Sequence, residues 1–260
     1  MTEGVRIQKA LAQSGHGSRR EVERWIRAGR LSVNGEPAVL GQRVGPDDKV
    51  ALDGEPVELA SEEDQACHVI MYNKPVGEVC TRSDPERRPT VFSKLPAPPS
   101  GRWIGVGRLD VNTSGLLLFT TDGELANHLM HPSSQVEREY AVRVLGELDG
   151  EALQRLQEGV ELEDGMARFS DVQTGRGEGA NRWYYVVLME GRQREVRRLF
   201  EAVGSRVSRL IRVRYGNVIL ERNMRTGRCV DLNADQIAGL KKLARPRPRR
   251  GAKRGPRRRR

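Results

Sequence analysis

The sequence predicts an α+β protein in two parts: a small αβ module over residues 1–60 and a larger domain over 67–243 built on a mixed, largely antiparallel sheet. Three observations predict it. Strand-like and helix-like runs alternate irregularly rather than as repeated βαβ units. Two hairpin signals, Asn34-Gly35 and Asp53-Gly54, fall close together in the first sixty residues. A polar, acidic stretch without periodicity, SEEDQA (61–66), reads as the linker between the parts. The chain of 260 residues is long enough to bury a sizeable core and shows no internal repeat.

In the first module, RIQKALAQSG has helical spacing of Ile7 and Leu11 and ends at Gly15. SRREVERWIRAG opens with a capping box, Ser18 as N-cap and Glu21 at the third helical position, and stops at Gly29. Val22, Trp25 and Ile26 form its apolar stripe, with Arg19, Arg20, Arg24 and Arg27 largely on other faces. LSVNGEPAV and VALDGEPVEL each read as two short strands around a tight turn. The larger domain starts at CHVIMYNKP, with strand-like runs at 68–73, 102–107, 115–120, 139–145, 183–189 and 207–213. Helix-like runs fall at 123–130, 150–158 and 194–203. The last segment, 244–260 (ARPRPRRGAKRGPRRRR), holds no core former and reads as a disordered basic tail.

The formal net charge of +10 is unevenly placed. Residues 241–260 hold 12 Lys/Arg and no acid, so the rest of the chain is close to neutral. Within that rest, residues 1–50 (9 basic, 6 acidic) and 181–230 (12 basic, 4 acidic) flank an acidic middle. Separate positive surfaces point to a large polyanion, and nucleic acid is the usual one. No apolar run spans a bilayer, and MTEGVRIQKA lacks the apolar core of a signal peptide. Cys67, Cys80 and Cys229 are scattered, fitting neither a zinc site nor a disulfide framework, so a reducing, cytoplasmic location is expected. His128 and His131 lack a third ligand at sensible spacing, and Pro132 stops their helix; no glycine-rich phosphate loop occurs. Neither a metal nor a nucleotide cofactor is expected.

Three stretches carry candidate chemistry. GRLDVNTSGLLLFTTDG (107–123) holds Asp110 between an apolar approach, WIGVG, and an apolar exit, LLLF. Such an acid either caps its own turn, with Thr113, Ser114 and local amides as donors, or serves a site. EGRQREVRRLFEAVG (190–204) places four arginines in seven residues ahead of a helix whose Val196, Leu199, Phe200 and Val203 face inward. Arg194, Arg197 and Arg198 share one broad side of it, suited to phosphate or to turning one guanidinium toward a carboxylate. EREYAVRV (137–144) puts Tyr140 at the start of a strand, as a rim aromatic or a stacking face.

In order and approximate spacing, these stretches resemble the motifs of the ribosomal RNA pseudouridine synthases, in the branch that includes the small-subunit uridine-516 enzyme. GRLDVNTSGLLLFTTDGELANHLMHPS carries the most specific part of the likeness. HGSRREVERWIRAGRLSVNG resembles the RNA-binding module named after small-subunit ribosomal protein four. NKPVGEVCTRSDPERRPTVFSKLP, EGANRWYYV and VSRLIRVRYG are similar to the large-subunit (23S) branch, and the likeness runs to about residue 240.

The resemblance implies that Asp110 is the nucleophile that lets uracil leave its N-glycosidic bond. It implies that Tyr140 stacks on the target base, placed for loss of the carbon-5 proton, and that Arg197 pairs with the aspartate. Leu199 is expected in the core. Arg194 stands where related synthases often have histidine, and its role is left open. No metal or organic cofactor is implied. Arg19, Arg20, Arg24, Arg30, Arg108, Arg192, Arg194 and Arg198 are the expected RNA contacts. The expected partner is 23S ribosomal RNA or a large-subunit assembly intermediate, bound by a monomer away from any membrane. The alternatives are another ribosomal uridine, or a non-catalytic assembly factor, for which the N-terminal module and the tail would suffice. The chemistry is coherent: extruding a stacked uridine costs roughly a few kcal/mol, and an aromatic face recovers about 1–3 kcal/mol.

Overall fold

The computed structural model describes residues 4–60, 66–178 and 180–244. The expected linker and basic tail lie outside these residues, apart from Ala66 and Ala244. No helix among the described residues is long and apolar enough to cross a membrane.

The module begins with β1 (Val5–Arg6), α1 (Ile7–Gln13) and α2 (Arg19–Arg27). The capping box of α2 forms: the Glu21 amide donates to the Ser18 hydroxyl at 3.1 Å, and the Ser18 amide donates to the Glu21 carboxylate at 3.3 Å. β2 (Leu31–Val33) turns into β3 (Glu36–Pro37); β4 (Arg43–Val44) pairs with β1; β5 (Val50–Leu52) turns into β6 (Glu55–Val57). Asn34 and Asp53 have φ of 54° and 53°, the left-handed conformation that these two-residue turns require. Ile7, Leu11, Val22, Ile26 and Leu31 belong to a core of the module's own. The module meets the larger domain through the Lys9–Glu124 ion pair and the close approach of Gly15 to Gly101.

The larger domain runs β7 (Val69–Lys74), β8 (Ile104–Val106), β9 (Ser114–Thr120), α3 (Gly123–Met130), β10 (Arg138–Leu145) and α4 (Gly150–Glu158). Then come β11 (Val160–Leu162), β12 (Gly165–Ala167), β13 (Asp171–Glu178), β14 (Asn181–Leu188) and α5 (Glu195–Ala202). β15 (Val207–Tyr215), β16 (Val218–Ile219), β17 (Cys229–Asp231) and α6 (Ala234–Leu243) complete it. Its main sheet has the order β13-β14-β10-β15-β9-β7-β17, with β8 added to β9 and β16 to β15. Only the β15–β9 pairing is parallel among the described strands, so the sheet is mixed and largely antiparallel, as expected.

Both faces of the sheet are covered. Leu117 and Phe119 pack with Tyr140, Leu156, Leu199 and Phe200 on one face, and Leu116 and Leu118 pack with Leu125, Leu129 and Leu240 on the other. That explains the unbroken apolar run of β9: a central strand with no solvated face need not alternate. Gly115 sits at φ 101°, and a side chain there would run into the Arg212 carbonyl, so glycine is what lets β9 and β15 meet. The elements that local pattern did not announce are β1, β4, the β11–β12 hairpin, β13, β16, β17 and α6. The strands are short or, like the edge strand β13, polar and glycine-rich, and α6 buries little beyond Leu240.

Candidate active site

The Asp110 loop leaves β8 at Gly107, whose φ of 77° turns the chain, and its backbone is held from three sides. From β7, the Lys74 ammonium donates to the carbonyls of Pro75 (2.9 Å), Asp110 (3.2 Å) and Thr113 (2.9 Å). Lys74 is fully buried, and desolvation lowers its pKa. From the segment after β7, the Cys80 thiol donates to the Leu109 carbonyl at 3.3 Å, and the Leu109 amide lies 3.4 Å from the same sulfur. From α5, Arg197 donates to the Asn112 carbonyl at 2.9 Å and, on its other side, to the Val207 carbonyl at 3.1 Å. The turn closes where the Thr113 amide donates to the Asp110 carbonyl at 3.0 Å.

All of these bonds use the main chain. Among the described residues the half-buried Asp110 carboxylate has neither a hydrogen bond nor an ion pair, so it does not cap its own turn. The Thr113 hydroxyl, expected as a donor to it, is buried without a partner among the described residues. The expected direct pairing of Arg197 with Asp110 is also replaced. The guanidinium is committed to two carbonyls, one of them two residues beyond the aspartate. The charges still interact: burial and then Arg194 lower the Arg197 pKa, whereas Asp110 and Glu201 hold it up.

The other arginines of the 192–198 stretch divide. Arg198 makes a two-pronged ion pair with Asp164, at 2.8 and 2.9 Å. Arg192 pairs with Glu190 at 3.1 Å and donates to the carbonyls of Gly165 and Met166 at 3.1 and 2.9 Å. Arg198 therefore fastens the β11–β12 hairpin to α5 and Arg192 fastens it to the loop before α5, and neither is free for phosphate. Arg194 is exposed, forms no ion pair among the described residues, and holds the left-handed conformation (φ 50°, ψ 26°) as N-cap of α5. Strain of this kind in a non-glycine residue collects at ligand sites.

A cleft of about 620 Å³ opens between the two loops. Arg108, Asp110 and Thr113 line one side, and Glu190 to Val196 the other. Tyr140, Arg138, Arg212 and Tyr215 contribute from β10 and β15. Tyr140 is 8% exposed and stands opposite Arg212 in the strand register. Arg197 lies behind this lining, and Leu199 is in the core. Glu195, 2% exposed, accepts from the Arg192 amide at 2.9 Å while its other oxygen has no partner. Burial, reinforced by Glu190, pushes its carboxyl up to about 7. Sequence reasoning passed over Lys74, Glu195, Arg138 and Arg212. A lysine ending the run VIMYNK, which opens with four largely apolar residues, was the one local signal available.

In the module, Arg19, Arg20 and Arg24 are exposed on α2 without ion pairs among the described residues, whereas Arg30 pairs with Asp53 and lies 6.0 Å from the Trp25 ring centre. Arg108 stands exposed on the cleft rim. His131 caps the turn after α3, accepting from the Ser133 amide at 3.2 Å.

Residues 68–202 match the family described as RNA pseudouridylate synthase, and residues 5–50 match the S4 domain. The chain is 57% identical over 244 residues to ribosomal large subunit pseudouridine synthase B of Vibrio cholerae serotype O1, covering 94% of this chain and 76% of that one. It is 55% identical over 243 residues to the protein of the same name from Haemophilus influenzae, covering 93% and 68%. The corresponding values for Escherichia coli strain K12 are 57% over 240 residues, 92% and 82%. Its fold matches the crystal structure of a pseudouridylate synthase with a TM-score of 0.63 at 26% identity, over 91% of this chain and 99% of that one. The Asp110 carboxylate, without a partner among the described residues, and Tyr140, which lines the same cleft, thus both sit within the matched region, and the chain belongs to the RNA pseudouridylate synthase family, with an S4 domain ahead of the catalytic one.

Proposed function

We propose that the protein isomerises one uridine of 23S ribosomal RNA, uridine 2605, to pseudouridine, with Asp110 as the nucleophile. The observation that carries this reading is the Asp110 carboxylate itself: half-buried, in a cleft, on a loop held by Lys74, Cys80 and Arg197, and bonded to nothing among the described residues. Three independent anchors on the backbone of one short loop make sense where a side chain must be aimed. The large-subunit names of the relatives support the choice of 23S RNA.

An Asp110 oxygen bonds to C1′ of the extruded nucleotide as the C1′–N1 bond breaks, and that bonding pair leaves with uracil. The base turns over against Tyr140, and its carbon 5 bonds to C1′ as the Asp110–C1′ bond breaks and its pair returns to the carboxylate. Loss of the carbon-5 proton and protonation of N1 complete an isomerisation with no net change of atoms. Arg197 acts through position and charge, fixing the Asn112 carbonyl and presenting a cation behind the aspartate. Arg19, Arg20, Arg24, Arg108 and Arg194 contact RNA phosphates, while Arg192 and Arg198 hold the protein together. The enzyme works in the cytoplasm, as a monomer, on 23S RNA or a large-subunit assembly intermediate.

Mapping pseudouridines in ribosomal RNA from cells lacking the protein tests the reading. Loss of one 23S site, restored by the wild-type chain but not by Asp110→Asn, is the expected result. No missing site, or restoration by Asp110→Asn, would contradict it.

A further inference from the structure

Arg138 and Arg212 differ from every other basic group around the cleft. Arg212 lies within β15 and is 2% exposed; Arg138 opens β10 and is 8% exposed. Each guanidinium carbon lies 5.1 Å from the centre of the Tyr215 ring. Arg212 donates from Nε to the Leu116 carbonyl at 2.8 Å, and its Nη2 is buried without a partner. Arg138 donates to the Val136 carbonyl at 3.2 Å and to the Tyr215 hydroxyl at 3.4 Å. Among the described residues neither forms an ion pair, whereas Arg192, Arg198 and Arg214 all do. All three members of the Arg138–Tyr215–Arg212 cluster line the Asp110 cleft.

Two guanidiniums against one ring repel each other and have lost most of their water. The ring offers some cation–π stabilisation but no compensating charge. A buried cation with neither counter-ion nor full hydrogen bonding is unfavourable in isolation, and an anionic ligand relieves that penalty. We propose that Arg138 and Arg212 form an anion subsite for a phosphodiester of the RNA strand beside the extruded nucleotide. Arg138 precedes Tyr140 by two residues on one strand face, a spacing of about 6.6 Å, and Arg212 is the cross-strand partner of Tyr140. A phosphate held there lies within one nucleotide's span of the stacking face and fixes where the base falls. The phosphodiester, rather than the detached base, is the occupant because it is charged before any chemistry begins. This inference rests on the cleft being the pseudouridine-forming site.

The test is the salt dependence of binding to a 23S RNA transcript containing the target uridine, together with steady-state turnover. Arg138→Gln and Arg212→Gln are each expected to flatten the slope of log affinity against log salt by about 0.7, and so to shrink the affinity change between 50 and 200 mM salt by roughly 2.5-fold. Each should also raise KM by more than it lowers kcat, and Arg212→Lys, which keeps the charge, should retain the slope. Unchanged slopes in both glutamine variants would overturn the proposal. So would a fall in kcat with KM and slope unaltered, which would place the guanidiniums on the reacting base. If Arg212→Gln fails to fold, Arg138→Gln carries the test, since the bonds it removes, to the Val136 carbonyl and the Tyr215 hydroxyl, are long ones at 3.2 and 3.4 Å. Asp110→Asn in the same assay separates the two readings: retained turnover would sink the nucleophile, while the slopes still decide the subsite.

Discussion

Residues 19–30 carry five arginines and residues 192–198 carry four, and by composition either stretch would serve to hold phosphate. In the first, Arg19, Arg20 and Arg24 project from α2 without a counter-ion among the described residues, and Asp53 holds Arg30. In the second, Arg192 and Arg198 close on Asp164, and Arg197 is buried against the carbonyls of Asn112 and Val207. Only Arg194 remains exposed there. Asp164 and Asn112, which make much of the difference, lie tens of residues away in the chain. A run of basic residues therefore states how much charge is present, and the fold decides whether that charge faces RNA or braces the protein.

Breaking the brace should have the largest effect. Arg197→Ala leaves two carbonyls without their donor and loosens the loop that aims Asp110. We expect a fall in single-turnover rate of about 10²-fold or more and a stability loss of roughly 2–4 kcal/mol, read by rapid-quench kinetics and urea titration. A rate loss confined to sub-saturating RNA would instead make Arg197 a phosphate contact.

Glu195, the first residue of α5, gives a pH-dependent effect. Its carboxyl binds a proton more tightly in the folded state, up to about 7 against an ordinary 4.5. Between those values the folded protein holds more protons than the unfolded chain, so stability falls as pH rises through that window. Glu195→Gln, neutral and of the same shape, should gain roughly 1–3 kcal/mol at pH 8 and nothing near pH 4. Denaturant titrations at the two pH values check this, and equal gains at both would remove the carboxyl's titration from the account.

The smallest effects sharpen the comparison directly. Arg20→Gln with Arg24→Gln should lower the salt slope of RNA binding by about 0.7–0.9 for each phosphate no longer neutralised, without moving the melting temperature. Asp164→Asn, which releases Arg192 and Arg198, should do the reverse, lowering the melting temperature and leaving the slope alone. A changed slope in Asp164→Asn would mean that the second stretch binds RNA after all.

What could be read from the chain follows the range of the forces involved. The Ser18/Glu21 box, the Asn34-Gly35 and Asp53-Gly54 turns and the helices at 123–130 and 150–158 are local, and each stands where the residues place it. Asp110 was legible as an anomaly, an acid beside an apolar strand, and the likeness of its surroundings to a family motif gave it a role. Arg138 and Arg212 were not legible. On a strand, a charged residue normally marks a solvated face, and nothing local shows that helices cover both faces of this sheet. Lys74 was hidden for the same reason, because two of its three acceptors lie in a loop distant in sequence. The helix α6 carries its own capping box, Asn233 with Gln236. It buries little beyond Leu240, so no apolar stripe announced it.

The central claim is that the unpaired Asp110 carboxylate performs the reaction and does not merely shape its loop. Purified Asp110→Asn tests it most directly, assayed for pseudouridine formation on 23S RNA alongside equilibrium binding to the same RNA. The asparagine keeps the main-chain anchors to Lys74, Cys80 and Arg197, so binding should match the wild type while pseudouridine formation falls to background. Turnover at an appreciable fraction of the wild-type rate would contradict the account.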